Sequence, residues 1–265
     1  MSDLKDKVVI ITGSSSGIGE AAAILFAQKG SKVTLCGRDQ ARLQAAFDKC
    51  VQAGGGNKDS FQTVQGDVCD PEVRKQIIQQ TIDKFGRLDV LVANAGIILE
   101  DGTLSNATEA AFDTTMDVNV KSVFFLILEA IPHLEKTQGC IVNVSSTGSV
   151  LAFPDEIIYS MSKAAVDHMT RTMAVGLGPK GIRVNAVNPT LVSTNIYRHY
   201  GVNATEANTT FLDKYARLHP LHGRASTPEE QAEVIVFLSS KAANFVSGQC
   251  ILVDGAITLQ GAGTN

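Results

Sequence analysis

The chain has 265 residues, 44% hydrophobic and 19% charged, enough to bury one sizeable core in a single α/β unit. Its 23 basic and 27 acidic side chains leave a formal charge of -4, and short basic runs are missing, so a nucleic-acid surface is excluded as the main partner. Five cysteines, at positions 36, 50, 69, 140 and 250, have no CxxC spacing, which argues against a zinc cluster or a disulfide framework and suits a reducing compartment.

The first residues run into a strand pattern without the apolar stretch and cleavage site of a secretory signal, and no segment reaches the roughly 20 apolar residues of a membrane span. The expectation is a soluble, cytoplasmic protein with no membrane partner. Short β-branched runs are predicted as strands at 7–12, 32–36, 61–65, 88–93, 140–145, 183–187 and 250–253. Helical patterns lie between them, at about 17–29, 39–53, 71–85, 106–135, 156–178 and 228–240. Strands alternating with helices imply βαβ units and a doubly wound parallel sheet in a Rossmann-like single domain. Runs such as Val8-Val9-Ile10-Ile11 and Val90-Leu91-Val92-Ala93 are apolar without alternation, as strands covered on both faces should be. Asp70-Pro71 and Thr227-Pro228 read as an N-cap followed by a first-turn proline. Only 190–227 breaks the alternation, and it reads either as a substrate lid or as an ordinary surface insertion.

After the first strand comes Thr12-Gly13-Ser14-Ser15-Ser16-Gly17-Ile18-Gly19, opening a helix. A glycine turn at that place brings backbone N–H groups and the positive end of the helix dipole to a pyrophosphate. Gly13, Ser15, Ser16, Gly17, Ile18 and Gly19 are therefore candidate cofactor residues, although the spacing is GxxxGxG and a purely structural turn is the competing reading. The second strand closes with Cys36-Gly37-Arg38-Asp39, where the adenosine ribose should be met. An acid there would accept from a free 2′-hydroxyl, whereas an arginine pairs with a 2′-phosphate, so Arg38 favours NADP(H) with NAD(H) as the alternative. Asp39 is either that ribose-binding acid, as the NAD(H) alternative requires, or the N-cap of the next helix, and the cap is the favoured reading.

Downstream, Tyr159-Ser160-Met161-Ser162-Lys163 puts Tyr159 and Lys163 on one helix face at i and i+4, shortly after a strand ending at Ser145-Ser146. A tyrosine titrating near about 10 needs a neighbouring cation to exchange protons at neutral pH, and Lys163 is one.

With these motifs in order from Lys7 to Ala256, the sequence resembles the short-chain dehydrogenase/reductase family. The resemblance implies Tyr159 as general acid/base, Ser146 as the hydroxyl holding the substrate oxygen, and Lys163 as binding the nicotinamide ribose while lowering the tyrosine pKa. Asn119, in Met116-Asp117-Val118-Asn119-Val120, resembles the asparagine that positions a water in the proton relay. It also implies Asp67 and Val68 beside the adenine, Asn94, Ala95 and Gly96 along the adenosine side, and Asn188-Pro189 beside the nicotinamide. Val192 and Thr194 are implied for the carboxamide and phosphate. The chain departs from the family at Ala93, where an asparagine is usual, and at Thr190 and Ala256, where glycines are usual.

The implied reaction interconverts a carbonyl and a secondary alcohol by hydride transfer on a small-molecule ketone, ketoacyl, sugar, polyol or steroid. The alternatives are an NAD-dependent alcohol dehydrogenase and a non-catalytic redox sensor. Loop 147–156 and segment 190–222 should form the pocket, with Leu151, Phe153 and Leu191 as apolar contacts and Glu156, Arg198 and His199 for a polar group. His219-Pro220-Leu221-His222 lacks an adjacent carboxylate cluster, so no metal is expected and both histidines are assigned to lid or surface. By analogy a homotetramer is expected, or a dimer, pairing the helices at about 106–135 and 156–178.

Overall fold

The structure, a computed structural model, describes residues 3–194, 196 and 215–260. Arg198 and His199, and most of the expected lid, lie outside the described residues.

The first half runs β1 (Val8–Thr12), α1 (Gly17–Gln28), β2 (Lys32–Gly37), α2 (Gln40–Ala53), β3 (Phe61–Gln65), α3 (Pro71–Phe85) and β4 (Val90–Ala93). The second half adds α4 (Glu109–Met116), α5 (Ser122–Thr137), β5 (Cys140–Val144), α6 (Ile157–Leu177), β6 (Arg183–Pro189), α7 (Pro228–Ser239) and β7 (Cys250–Val253). The seven strands form one sheet in the order β3-β2-β1-β4-β5-β6-β7, every pairing parallel. The order reverses between β1 and β4, and open sheets of this kind bind ligands at the carboxyl ends of the strands beside such a reversal.

The uninterrupted apolar strands have the predicted cause. Val9, Ile11, Val90 and Val92 face one core with Phe26, Ala22 and Ile235, while Ile10, Leu91 and Ala93 face a second with Ile77, Leu126 and Ile127. Both faces of the central strands are thus dry, and alternation has nothing to report.

Helix starts follow the local chemistry. Asp39 accepts from the Arg42 N–H, Asp70 from the Glu72 N–H, and Thr227 and Glu230 form a reciprocal capping box. The segment expected as one helix over 106–135 is instead α4 and α5 joined by a π-helical turn, Asp117–Lys121. Thr108 caps the Ala111 N–H, so the helix begins at Glu109 rather than 106. A π turn inserts one residue per turn, a feature the helical periodicity of the sequence does not encode and one that concentrates at functional sites. Among the described residues no helix is long and apolar enough to cross a membrane.

Candidate active site

The loop after β1 is held to its neighbours by side chains as well as by the Ser14 N–H, which donates to the Cys36 carbonyl at 3.0 Å. Ser14 Oγ accepts from the Cys36 N–H at 2.9 Å, tying the loop to β2. Thr12 Oγ1 accepts from the Asn94 and Ala95 N–H groups, and Asn94 Nδ2 donates to the Thr12 and Gly13 carbonyls, tying it to the end of β4. Gly13 and Gly17 have φ of 64° and 60°, and a Cβ at Gly13 would stand 3.0 Å from the Ala95 Cα. Gly19 serves packing: a Cβ there would meet Asn94 Nδ2 at 2.5 Å and the Gly13 carbonyl oxygen at 2.6 Å.

Ser16 precedes α1 in an extended conformation and makes no side-chain cap. The first N–H groups of α1 are therefore left by the cap residue for an anion, and they open onto a cleft of about 250 Å³. Gly13, Ser15, Ser16, Gly17, Ile18, Arg38, Asp67, Val68, Asn94, Ala95, Gly96, Pro189, Val192 and Thr194 all line this cleft, as expected. Thr194 Cγ2 would lie 3.1 Å from a Cβ on Gly17, which puts it against the phosphate-type turn. Gly19 and Asn119 do not line it.

At the adenosine end, Gly37 leaves room for Ser15, whose Oγ would be 3.1 Å from a Cβ at that position. Arg38 Nη1 reaches Asp67 Oδ2 at 3.5 Å, with both side chains about half-exposed. Arg42, one helical turn on, also lines the cleft and pairs with Asp39 at 3.0 Å. Sequence reading missed Arg42, although its i+4 spacing from Arg38 was the available signal.

At the other end, Ser146, Tyr159 and Lys163 come together on the same cleft. Ser146 follows β5, and its Oγ accepts the Gly148 N–H at 3.0 Å, capping a short turn at Thr147–Ser149. Asn188 on β6 donates to the Ser146 carbonyl at 3.1 Å and to the Asp167 carboxylate at 2.9 Å, which fixes the strand end against α6. Lys163 Nζ donates to the Val144 carbonyl at 2.9 Å and sits 5.5 Å from the Tyr159 ring centroid. Gly96 gives the ammonium its space, since a Cβ there would be 3.3 Å from Nζ.

Burial sets the charges. It pushes the Tyr159 phenol above its ordinary value against a hydrogen bond with Ser146, and the Glu156 charge adds to the rise. Burial also brings Lys163 down to about 8, opposed by Asp167 one turn away. In the protein without its cofactor, burial is thus the largest influence on the phenol, and the hydrogen bond with Ser146 is what opposes it.

Asn119 lies in the π turn, 1% exposed. Its Oδ1 accepts the Ile97 N–H at 2.9 Å, and its Nδ2 donates to the Ile97 carbonyl at 2.9 Å and to Ser162 Oγ at 3.0 Å. Ser162 Oγ in turn donates to the Tyr159 carbonyl at 2.6 Å. Both amide hydrogens are committed to this tie.

The substrate side of the cleft has Leu151, Phe153, Leu191 and Glu156 as expected, joined by Ile196, Tyr215, His219 and Ile257. Of the two assignments left open for His219, lid or surface, the surface one fails: it is 3% exposed and forms part of the cleft wall. Tyr215 comes from the expected segment 190–222, whereas Ile257 comes from beyond it with no local motif to announce it.

A glycine-turn cleft at the reversal of a parallel sheet, with a serine, a tyrosine and a lysine at its far end, defines a dinucleotide-dependent oxidoreductase. A family profile described as enoyl-(acyl carrier protein) reductase matches residues 13–258. The chain is 37% identical over 257 residues to 3-oxoacyl-[acyl-carrier-protein] reductase FabG of Thermotoga maritima, covering 97% of this chain and 99% of that protein. It is 35% identical to versicolorin reductase stcU of Emericella nidulans, covering 95% and 96%. It also superposes on a short-chain dehydrogenase/reductase of unknown function from Caenorhabditis elegans, solved with cofactor, at a TM-score of 0.92 with 36% identity and 98% of each chain covered. The chain belongs to the short-chain dehydrogenase/reductase family, whose members act on carbonyl and alcohol groups.

Proposed function

We propose that this protein is an NADP(H)-dependent ketone reductase in which Tyr159 is the general acid/base. The observation that carries the reading is the convergence of Ser146, Tyr159 and Lys163 on the cleft into which the uncapped start of α1 opens. The residues fit a dinucleotide: the loop from Gly13 to Ile18 and Thr194 for the pyrophosphate, Asp67 and Val68 for the adenine, Asn94, Ala95 and Gly96 along the adenosine. Pro189 and Val192 fit the nicotinamide, with Lys163 on its ribose. When bound, the nicotinamide supplies the hydride that the carbonyl carbon receives.

The chain's own part is orientation and proton delivery. Ser146, one of whose two Oγ lone pairs accepts from the Gly148 N–H, donates its hydrogen to the carbonyl oxygen, while Tyr159 donates a hydrogen bond and then its proton. Lys163 offsets the negative charge that grows on the phenol. Asn119 holds Ile97 and Ser162, and its remaining Oδ1 lone pair is the atom available to order a relay water.

The cofactor preference rests on Gly37 and Arg38. No acidic side chain fits at Gly37 without displacing Ser15, and Asp39 is committed to its helix cap. Arg38, with Arg42 beside it, is thus the group that meets a 2′-phosphate. The exposed Phe112, Phe124, Phe125 and Leu128 on α4 and α5 support self-association, which we read as a homotetramer with a dimer as the alternative. Five free cysteines support a reducing, cytoplasmic setting.

The test is titration with NADPH and NADH, followed by nicotinamide fluorescence, on the unmodified protein and on Arg38→Ala. A charge-assisted pair of about 1.5–3 kcal/mol predicts an NADPH affinity lower by roughly 10- to 150-fold in the variant, with NADH little changed. Equal or tighter NADH binding by the unmodified protein would overturn the Arg38 reading in favour of NAD-dependent alcohol oxidation.

A further inference from the structure

Thr190 is the residue after Pro189, where β6 ends, two positions from the Asn188 amide that holds the Ser146 carbonyl. Its N–H donates to the Val253 carbonyl on β7 at 3.4 Å, and its Oγ1 lies 2.7 Å from Nε2 of His219. The other ring nitrogen, Nδ1, lies 2.9 Å from the Ala216 carbonyl. A carbonyl can only accept, so Nδ1 carries the hydrogen, Nε2 of the neutral ring keeps its lone pair, and the Thr190 hydroxyl is the donor. Both nitrogens are spent, which leaves the imidazole neither a proton for a substrate nor a lone pair for a metal.

What the ring can do is hold Thr190. It is held in turn by the turn after β7: the Leu221 N–H donates to the Gly255 carbonyl, and a Cβ at Gly255 would stand 3.6 Å from the His219 Cβ. Thr190 and His219 line the cleft together with Leu191, Tyr215 and Ile257. A β-branched side chain has few χ1 wells, and a 2.7 Å hydrogen bond to a buried partner selects one of them. The cleft wall at the end of β6 is therefore three heavy atoms thicker than glycine would make it, and the hydrogen bond to His219 opposes its swinging aside.

We propose that the Thr190–His219 pair is the specificity-determining wall of the substrate cleft, restricting the group that a ketone can carry on that flank. His219 acts as a positioning residue and Thr190 as the surface the substrate meets. The enzyme then takes ketones with a compact substituent on that side and rejects those with a ring there. This rests on the ketone-reducing reading of the cleft.

The experiment compares two diketones with the same reacting group, butane-2,3-dione and 1,2-diphenylethane-1,2-dione, as the ratio of their kcat/KM values with NADPH. Thr190→Gly should shift the ratio towards the diphenyl compound by about tenfold or more, as removal of pocket-wall groups does. His219→Leu should shift it the same way, and Thr190→Val combined with His219→Leu should add nothing to His219→Leu alone, because both break one hydrogen bond. His219→Gln, whose amide oxygen can accept from Thr190, should restore most of the selectivity. The nitrogen-15 spectrum of the His219 ring should report a protonated Nδ1 and a bare Nε2 whose resonance moves in Thr190→Val. Unchanged ratios in Thr190→Gly and His219→Leu, a hydrogen on Nε2, or no turnover of butane-2,3-dione by cofactor-loaded enzyme would overturn the inference. A protein that binds neither NADPH nor NADH would overturn the functional reading beneath it.

Discussion

Replacing Asn119 by alanine should be costly, because its side chain ties the π turn to the segment after β4 and to α6. The change removes the acceptor of the Ile97 N–H, the donor to the Ile97 carbonyl and the donor to Ser162 Oγ, all buried. At about 1 kcal/mol for each net bond, with a further cost for each group left without a partner, the loss is about 3–5 kcal/mol. Urea unfolding should then give a midpoint lowered by that free energy divided by the slope, the slope itself unchanged, and a melting temperature lower by roughly 6–15 °C. Asn119→Asp sharpens the test. Its carboxylate keeps the bond from Ile97 but opposes the Ile97 carbonyl with a second oxygen, so the introduced acid has a folded-state pKa raised above its unfolded value. Its neutral form is the one the fold tolerates, so stability lost at neutral pH should return as the pH falls through that raised pKa. An Asn119→Ala protein whose urea midpoint matches the unmodified one, or an Asn119→Asp protein whose deficit is the same at pH 4 and pH 8, would refute the reasoning.

Two further outcomes follow from backbone strain and from the lysine. Ala256 sits at φ 68°, ψ 18°, a left-handed conformation that costs an L-residue about 1–2 kcal/mol, so Ala256→Gly should stabilise by about 0.5–1 kcal/mol after glycine's own entropy cost; an unchanged or lower melting temperature would contradict this. Lys163, held down to about 8 by burial, is a cation below that pH and neutral above it, so NADPH affinity should weaken as the pH rises through about 8. Fluorescence titrations at pH 7 and 9.5 should show that decline in the unmodified protein and none in Lys163→Met.

The legibility of this chain divides by how local the determining interactions are. The central strands were readable because two-faced burial writes itself as unbroken apolar runs, the edge strands from short β-branched stretches, and Asp39, Asp70 and Thr227 were readable as caps because a cap bonds within three residues. The cleft ends could be found from the glycine turn and the Tyr159–Lys163 spacing, which are short motifs. The π turn at Asp117–Lys121 could not, since one inserted residue leaves the helical pattern on either side intact. Asn119 was found as a residue, but its bonds to Ile97 and Ser162 span 22 and 43 positions and carry no sequence signature. His219 was read as lid or surface, and what decides between the two is equally non-local: its burial depends on Thr190, 29 residues earlier, and on the turn at Gly255. The burial that raises the Tyr159 phenol is likewise a property of the folded cleft, which no local motif encodes.

The most direct test of the central claim is NADPH consumption at 340 nm with butane-2,3-dione, comparing the unmodified protein with Tyr159→Phe, alongside NADPH binding by both. The account predicts that the variant binds NADPH within about twofold of the unmodified protein while its turnover falls by roughly 10²-fold or more, the contribution of a positioned acid. Turnover retained in Tyr159→Phe would contradict it.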